Sequence, residues 1–227
     1  MWEKEKEKEK ELELRQLVKD TGVKLLEENL VQGTWGNISV RLDEDHMLVS
    51  PTGLDYNHLE PEDMPIVQIS DPSIWSDGKK PTSERKIHAA VLASRPEINA
   101  CIHSHPVFAT IMASCRMPLP AFTDELKEVM NGDVIVGAYG LPGTGKLKEG
   151  TVEAMKGRNA CFMANHGVFC VGETMEDAFN VLRLLEKSVY EYIQMQTLEK
   201  TGAKEYSDEL LFRVFTKKAE RFLPKSF

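Results

Sequence analysis

Ala100-Cys101-Ile102-His103-Ser104-His105-Pro106-Val107-Phe108 sets two histidines, two residues apart, inside an apolar run. Such a run reads as the end of a buried strand, and on a strand the side chains at i and i+2 project to the same side. His103 and His105 therefore present two imidazoles to one point in space, a spacing that suits a metal ion. Two satisfied polar groups at a sheet end are the other reading, and a further ligand elsewhere decides between them. Ala164-Asn165-His166-Gly167-Val168 supplies one, as a polar island in the apolar run Ala160 to Val171, which reads as one more buried strand. Three neutral imidazoles with an open fourth position form a zinc arrangement used in catalysis.

Working outward on the N-terminal side, Pro81-Thr82-Ser83-Glu84 opens a helix expected from about Arg85 to Ala93. Thr82 and Ser83 read as its N-cap residues, and a helix N-terminus is a ready anion site. Glu84 in the first turn complements the helix dipole or carries chemistry, and His88, one turn on, is read as structural. His46 and His58 lie in less buried contexts. The stretch Gly33-Thr34-Trp35-Gly36-Asn37-Ile38-Ser39-Val40 runs from a loop into a strand, and Ser50-Pro51-Thr52-Gly53 follows a second strand, Met47-Leu48-Val49. Glycines there allow backbone N–H groups to approach a phosphate, although a plain helix-to-strand turn is the simpler reading of the first stretch alone. Leu54 to Lys80 reads as a strand pair with a turn near Asp77-Gly78. Before these, Leu14, Leu17, Val18, Val23, Leu25, Leu26 and Leu30 have helical spacing, with a stop by Gly33. Met1 to Glu13 alternates lysine and glutamate with mixed i,i+3 and i,i+4 support, a solvated extension prone to fraying.

On the C-terminal side, a helix is expected from Pro106 to Ala113, an extended piece over Met117 to Phe122 and a short strand at Val134-Ile135-Val136. Leu141-Pro142-Gly143-Thr144-Gly145 lacks the spacing of a P-loop. Helices follow over Lys148 to Met155, Glu176 to Leu198 and Ser207 to Phe222. The chain of 227 residues suffices for one domain, and a formal charge of −8 argues against a nucleic-acid partner or an anionic membrane bound through bulk charge. No run approaches the roughly 18 apolar residues of a span, and no signal-peptide core follows the lysines, so a cytoplasmic protein is expected. Cys101, Cys115, Cys161 and Cys170 show no C-x-x-C spacing and are expected to be mostly buried thiols.

In this order and at these separations, G-T-W-G-N-I-S, S-P-T-G, P-T-S-E, H-S-H-P and N-H-G resemble the class II aldolase/adducin family over about Leu12 to Leu198. The motifs are most similar to those of its fuculose-phosphate aldolase branch. The resemblance implies a single α/β domain over 12–227, a largely antiparallel sheet flanked by helices, after a charged extension at 1–11. It also implies a C4 homotetramer with active sites at subunit boundaries. It makes His103, His105 and His166 the ligands of one zinc per subunit, with another divalent ion open, and Glu84 the acid/base, which also lies near the metal in the substrate-free state. It puts substrate phosphate against Gly36, Asn37, Thr52, Gly53, Thr82 and Ser83. The reaction implied is reversible cleavage of a ketose 1-phosphate to dihydroxyacetone phosphate and a small aldehyde, through a metal-stabilised enediolate.

Family epimerases carry aspartate at the position of Glu84, which favours carbon–carbon cleavage over pentulose-phosphate 4-epimerisation here. Decarboxylation of a sugar-acid phosphate and dehydration of methylthioribulose 1-phosphate use the same fold, and the adducin head is a non-catalytic scaffold on it. Asp124 and Arg221 fall near positions where fuculose-phosphate aldolase has tyrosines, which leaves the proton donor on the aldehyde side open.

Overall fold

The structure, a computed structural model, describes residues 2–201. The chain divides into two compact units, residues 1–189 and 190–227. The expected helix over Ser207 to Phe222, and Arg221 with it, lies outside the described residues.

An eight-stranded sheet organises the first unit, built from β1 (Asn37–Arg41), β2 (His46–Val49), β3 (Ile66–Gln68), β4 (Trp75–Ser76), β5 (Ala100–Ser104), β6 (Val136–Gly137), β7 (Ala160–Met163) and β8 (Gly167–Gly172). Its order is β4-β3-β2-β1-β5-β8-β7-β6. Neighbours pair antiparallel except β6 with β7. The histidine strand β5 is central and buried at every residue, which explains why its sequence is apolar on both sides.

Helices α1 (Trp2–Glu27), α2 (Arg85–Ser94), α3 (Val107–Cys115), α4 (Asp124–Met130), α5 (Gly145–Ala154) and α6 (Met175–Lys200) complete the architecture. One face of the sheet, with Met47, Val49, Val67, Cys101, Cys161, Met163, Phe169 and Val171, forms a core with Ile87, Val91 and Leu92 of α2 and Leu147 and Ala154 of α5. Strand alternation turns Ile38, Val40, Leu48, Ile102, Val168 and Cys170 to the other face, where they are also buried. Helix α1 packs against β1 and β2, and α3 against β7 and β8. The α1 helix continues back to Trp2 through the Lys/Glu extension and ends at Glu27, earlier than the Gly33 stop that hydrophobic spacing allowed. In the last turns of α6, within the second unit, Thr197 donates to the Ile193 carbonyl at 2.7 Å.

Four local expectations are corrected. The apolar run Ala160 to Val171 is a hairpin rather than one strand: His166 N–H donates to the Met163 carbonyl at 2.9 Å across a tight turn, with Asn165 at φ 57°. Asparagine tolerates that left-handed backbone, so the polar island is the turn itself. The turn of the β3–β4 pair falls over 69–74, and Asp77-Gly78, both at positive φ, redirects the chain after β4. The cap position of α2 is Glu84, not Thr82 or Ser83, and its side chain makes no capping bond because it points into the site described below. Helix α5 starts at Gly145, capped by the Thr144 hydroxyl, three residues before the expected start. All four cysteines are free, with Cys101, Cys161 and Cys170 buried and Cys115 exposed.

Candidate active site

His103 is the penultimate residue of β5, and His105 lies just past the strand, before Pro106 caps α3. A proline can take that position because the first N–H groups of a helix have no intrahelical acceptor to lose. The His103 Nδ1–H donates to the Val168 carbonyl at 2.8 Å, which leaves the Nε2 lone pair facing inward. There Nε2 of His105 lies 2.9 Å away. The hairpin turn delivers His166, and ligand nitrogens of all three residues lie within 4.8 Å of one another. Ring centroids are 4.7 to 4.9 Å apart, each pair near edge-on.

The close approach of the hairpin depends on Gly167. A Cβ there would lie 2.5 Å from the Ser104 carbonyl oxygen, 3.0 Å from His105 and 3.3 Å from His103. Backbone cannot swing aside as a flexible side chain can, so Gly167→Ala is expected to push β8 from β5, costing about 1–3 kcal/mol. Metal affinity should fall in parallel. Denaturant unfolding and a metal titration of the variant check this, and a fully stable, metal-tight variant would contradict it.

Glu84 reaches the same point from the start of α2. Its Oε2 is 3.1 Å from His103 Nε2, and Oε1 is 3.5 Å from His166 Nε2. Oε2 also accepts from the Asn37 amide at 2.9 Å, while Oε1 is buried without a hydrogen-bond partner. Burial pushes the Glu84 pKa up, but His103, the Asn37 N–H, His166 and His88 together outweigh it and hold the carboxyl below its ordinary value. Burial, with His103 and His166 beside it, pushes His105 down to about 3, and burial with His103 pushes His166 down to about 4. Both rings are therefore neutral at pH 7, the form that binds a cation. Two facing Nε2 atoms, a buried carboxylate oxygen with no donor and neutral imidazoles are what a divalent ion would satisfy, so the residues fit one.

Behind this cluster lies His88, fully buried against Phe169 at a centroid distance of 4.9 Å. Burial, followed by the effect of His103, pushes it down to about 3. The unfolded chain takes up a proton near the ordinary value of about 6.5, the folded one only near 3, so the unfolded state binds more protons between these limits. Stability contributed by neutral His88 is thus present at pH 7 and lost as pH falls below about 6.5, by about 1.4 kcal/mol per pH unit. Calorimetry of chelator-stripped protein should give a lower Tm at pH 5 than at pH 7; an equal or higher one would contradict the sign.

Three turns close the other side. Ser50 N–H donates to the Ile38 carbonyl at 2.9 Å, and its hydroxyl accepts from the Ile38 N–H at 3.1 Å. Thr82 N–H donates to the Ser50 carbonyl at 3.1 Å, Thr52 N–H to Lys80 at 3.0 Å, and Pro51 bridges Pro81. These bonds bring the turns bearing Gly36, Asn37, Thr52, Gly53, Thr82 and Ser83 together. Thr52, Gly53 and Ser83 are exposed, whereas Asn37 and Thr82 are buried, and the Thr82 hydroxyl accepts from the Glu84 N–H at 3.3 Å. A cleft of about 130 Å³ adjoins Ser83 and Glu84, lined also by Lys86, Thr144 and Lys148. Its lysines were not singled out in the sequence, where nothing relates the starts of α2 and α5. His46 and His58 sit outside the site, each beside a local aspartate.

Three imidazoles and a buried carboxylate at the end of a central strand form a cluster that could hold a divalent ion on an α/β fold. The chain matches the class II aldolase and adducin N-terminal domain over residues 16–193, and it belongs to that family. It is 35% identical over 179 residues to a 5-methylthioribulose-1-phosphate/5-deoxyribulose-1-phosphate aldolase of Rhodospirillum rubrum, covering 79% of this chain and 80% of the relative. It is 34% identical over 164 residues to an L-fuculose phosphate aldolase of Escherichia coli K12, covering 72% and 74%. A solved L-fuculose 1-phosphate aldolase superposes with a TM-score of 0.78 at 30% identity, covering 92% of this chain and 96% of the other. These relatives are sugar-phosphate aldolases. Among the described residues no helix is long and apolar enough to cross a membrane.

Proposed function

We propose that this chain is a zinc-dependent aldolase that reversibly cleaves a ketose 1-phosphate to dihydroxyacetone phosphate and a small aldehyde. The observation that carries the reading is Glu84: a carboxylate only 8% exposed, with one oxygen held by Asn37 and the other without a hydrogen-bond partner, at the edge of three imidazoles. A scaffold has no use for such a group, which costs desolvation free energy wherever it does not act. A divalent ion held by His103, His105 and His166 would supply the Lewis acidity that lets the ketone accept charge as the C3–C4 bond breaks. Zinc, one per subunit, suits three neutral imidazoles with an open position.

Glu84 moves the proton at C3. In cleavage the C4 hydroxyl proton leaves as the aldehyde forms, and Glu84 delivers a proton to C3 to complete dihydroxyacetone phosphate; in condensation it removes that proton. Its free oxygen is the one available for this transfer. Phosphate would be held by the exposed turn groups of Thr52, Gly53 and Ser83, with Gly36, Asn37 and Thr82 forming the wall behind them, and by the lysines at the cleft. A C4 homotetramer with interfacial sites is part of the same proposal. In it Thr123, Asp124 and Glu125, exposed at the start of α4, are candidate donors to the aldehyde side of a neighbouring site. Asp124→Asn with unchanged turnover would remove the second of them.

The names of the relatives give three of the substrates to try, and rhamnulose 1-phosphate is added as a fourth. Metal-loaded protein is incubated with fuculose, rhamnulose, 5-deoxyribulose and methylthioribulose 1-phosphates, and dihydroxyacetone phosphate is followed by coupled reduction. Release that requires both metal and Glu84 supports the aldolase and ranks its aldehydes. No release from any substrate, with metal bound and the fold intact, overturns it in favour of a decarboxylase or dehydratase using the same site.

A further inference from the structure

Asn37 is held between two partners that dictate its orientation. Its Nδ2 lies 2.9 Å from Glu84 Oε2, and its Oδ1 lies 2.5 Å from His88 Nε2. An ionised carboxylate accepts only, so the group facing Glu84 must be the amide NH2. The amide oxygen then faces His88, whose Nε2 must carry the proton. That leaves Nδ1 as an acceptor, and the hydroxyl 2.7 Å from it, Ser39 Oγ, must donate. Cys101, directly across the ladder from Ser39, stays a thiol because burial pushes its pKa up to about 12. Each member is buried, and each has its direction fixed by the next.

We infer that Ser39, His88 and Asn37 form a one-way hydrogen-bond chain that fixes the rotamer of the Glu84 carboxylate, with His88 as a positioning residue whose Nε2–H tautomer is set by the Asn37 amide oxygen and matched by the Ser39 hydroxyl. The placement explains the four residues together. Asn37 and Ser39 are two apart on β1 and share its α2-facing side, and Glu84 and His88 are four apart at the start of α2. Should His88 adopt the other tautomer, Asn37 would have to rotate its amide and set an oxygen against the Glu84 oxygen. The carboxylate would then swing from the imidazoles.

The inference rests on the reading of Glu84 as the acid/base, but its first test does not need turnover. Long-range 1H–15N correlation on full-length, histidine-labelled, metal-loaded protein reads the tautomer of each ring, with His88 assigned from its loss in His88→Gln. The Nε2–H tautomer is expected in the wild type and, because the Asn37 oxygen still accepts from it, in Ser39→Ala as well; an Nδ1–H ring in either overturns the chain. The second test is kinetic. His88→Leu should lower kcat by about 10–100-fold with little change in KM. His88→Gln, whose amide N–H falls near the position of Nε2, should recover most of that loss. Equal losses in the two variants, or a loss confined to KM, would overturn the positioning role. A wild type with the Nε2–H tautomer and no turnover on any ketose phosphate would refute the aldolase and leave the hydrogen-bond chain standing.

Discussion

Glu84→Gln is expected to lower kcat for ketose 1-phosphate cleavage by about 10²–10⁴-fold while the protein keeps its metal and its fold. The substitution preserves shape and the contact with Asn37 but removes the carboxylate that borders the imidazoles. Three observations make the expected loss large: the carboxylate is almost fully buried, one of its oxygens has no hydrogen-bond partner, and no second carboxylate joins the metal-competent cluster among the described residues. Metal content after desalting and the far-UV spectrum separate the chemical effect from loss of structure. Activity within a fewfold of wild type would remove Glu84 from the chemistry.

His105→Ala should abolish both metal binding and turnover. Of the two histidines in the motif, His103 is 1% exposed and bonded to the β8 backbone, so its replacement would disturb the sheet as well as the site. His105 lies past the end of β5, and the Nε2 that faces His103 would be its ligand atom. Its loss leaves two imidazoles, one short of the set that holds a catalytic zinc. Metal per chain should fall from near one to near zero, and the Tm of the variant should match that of the chelated wild type. Full metal retention would mean that the ion is held elsewhere.

Much of this site was legible because short periodicities carry it. The i, i+2 spacing of His103 and His105 reads directly as one side of a strand, and Glu84 was legible from the P-T-S-E motif. The third ligand was found for the right residue type but with the wrong local structure. An apolar run holding Asn-His-Gly reads as one strand, and only pairing of Ala160–Met163 with Gly167–Gly172 reveals that Ala164, Asn165 and His166 are a turn. The cap of α2 was misread for a related reason. Thr82 and Ser83 have strong capping propensity, but the turns at 50–53 and 80–83 are tied by backbone bonds, which leaves Glu84 at the boundary with its side chain inward.

His88 reads as structural from the sequence, and the structure buries it with hydrogen bonds to Ser39 and Asn37. Its spacing from Glu84 was visible, as was that of Ser39 from Asn37, but each pair alone is ordinary for a helix or a strand. Their meaning depends on β1 lying under α2, a contact between residues about 50 apart in the chain. Local periodicity does not encode that. The cleft between α2 and α5 was out of reach in the same way, since Lys86 and Lys148 meet only through the fold.

Hydrogen exchange of dihydroxyacetone phosphate tests the central claim most directly, because it isolates the proton transfer and needs no knowledge of the aldehyde. With metal-loaded protein in D2O, 1H NMR should show loss of one hydrogen from the hydroxymethyl carbon, with none lost under chelation or in Glu84→Gln. Exchange that proceeds equally in Glu84→Gln, or no exchange by a folded wild type with metal bound, would contradict the account.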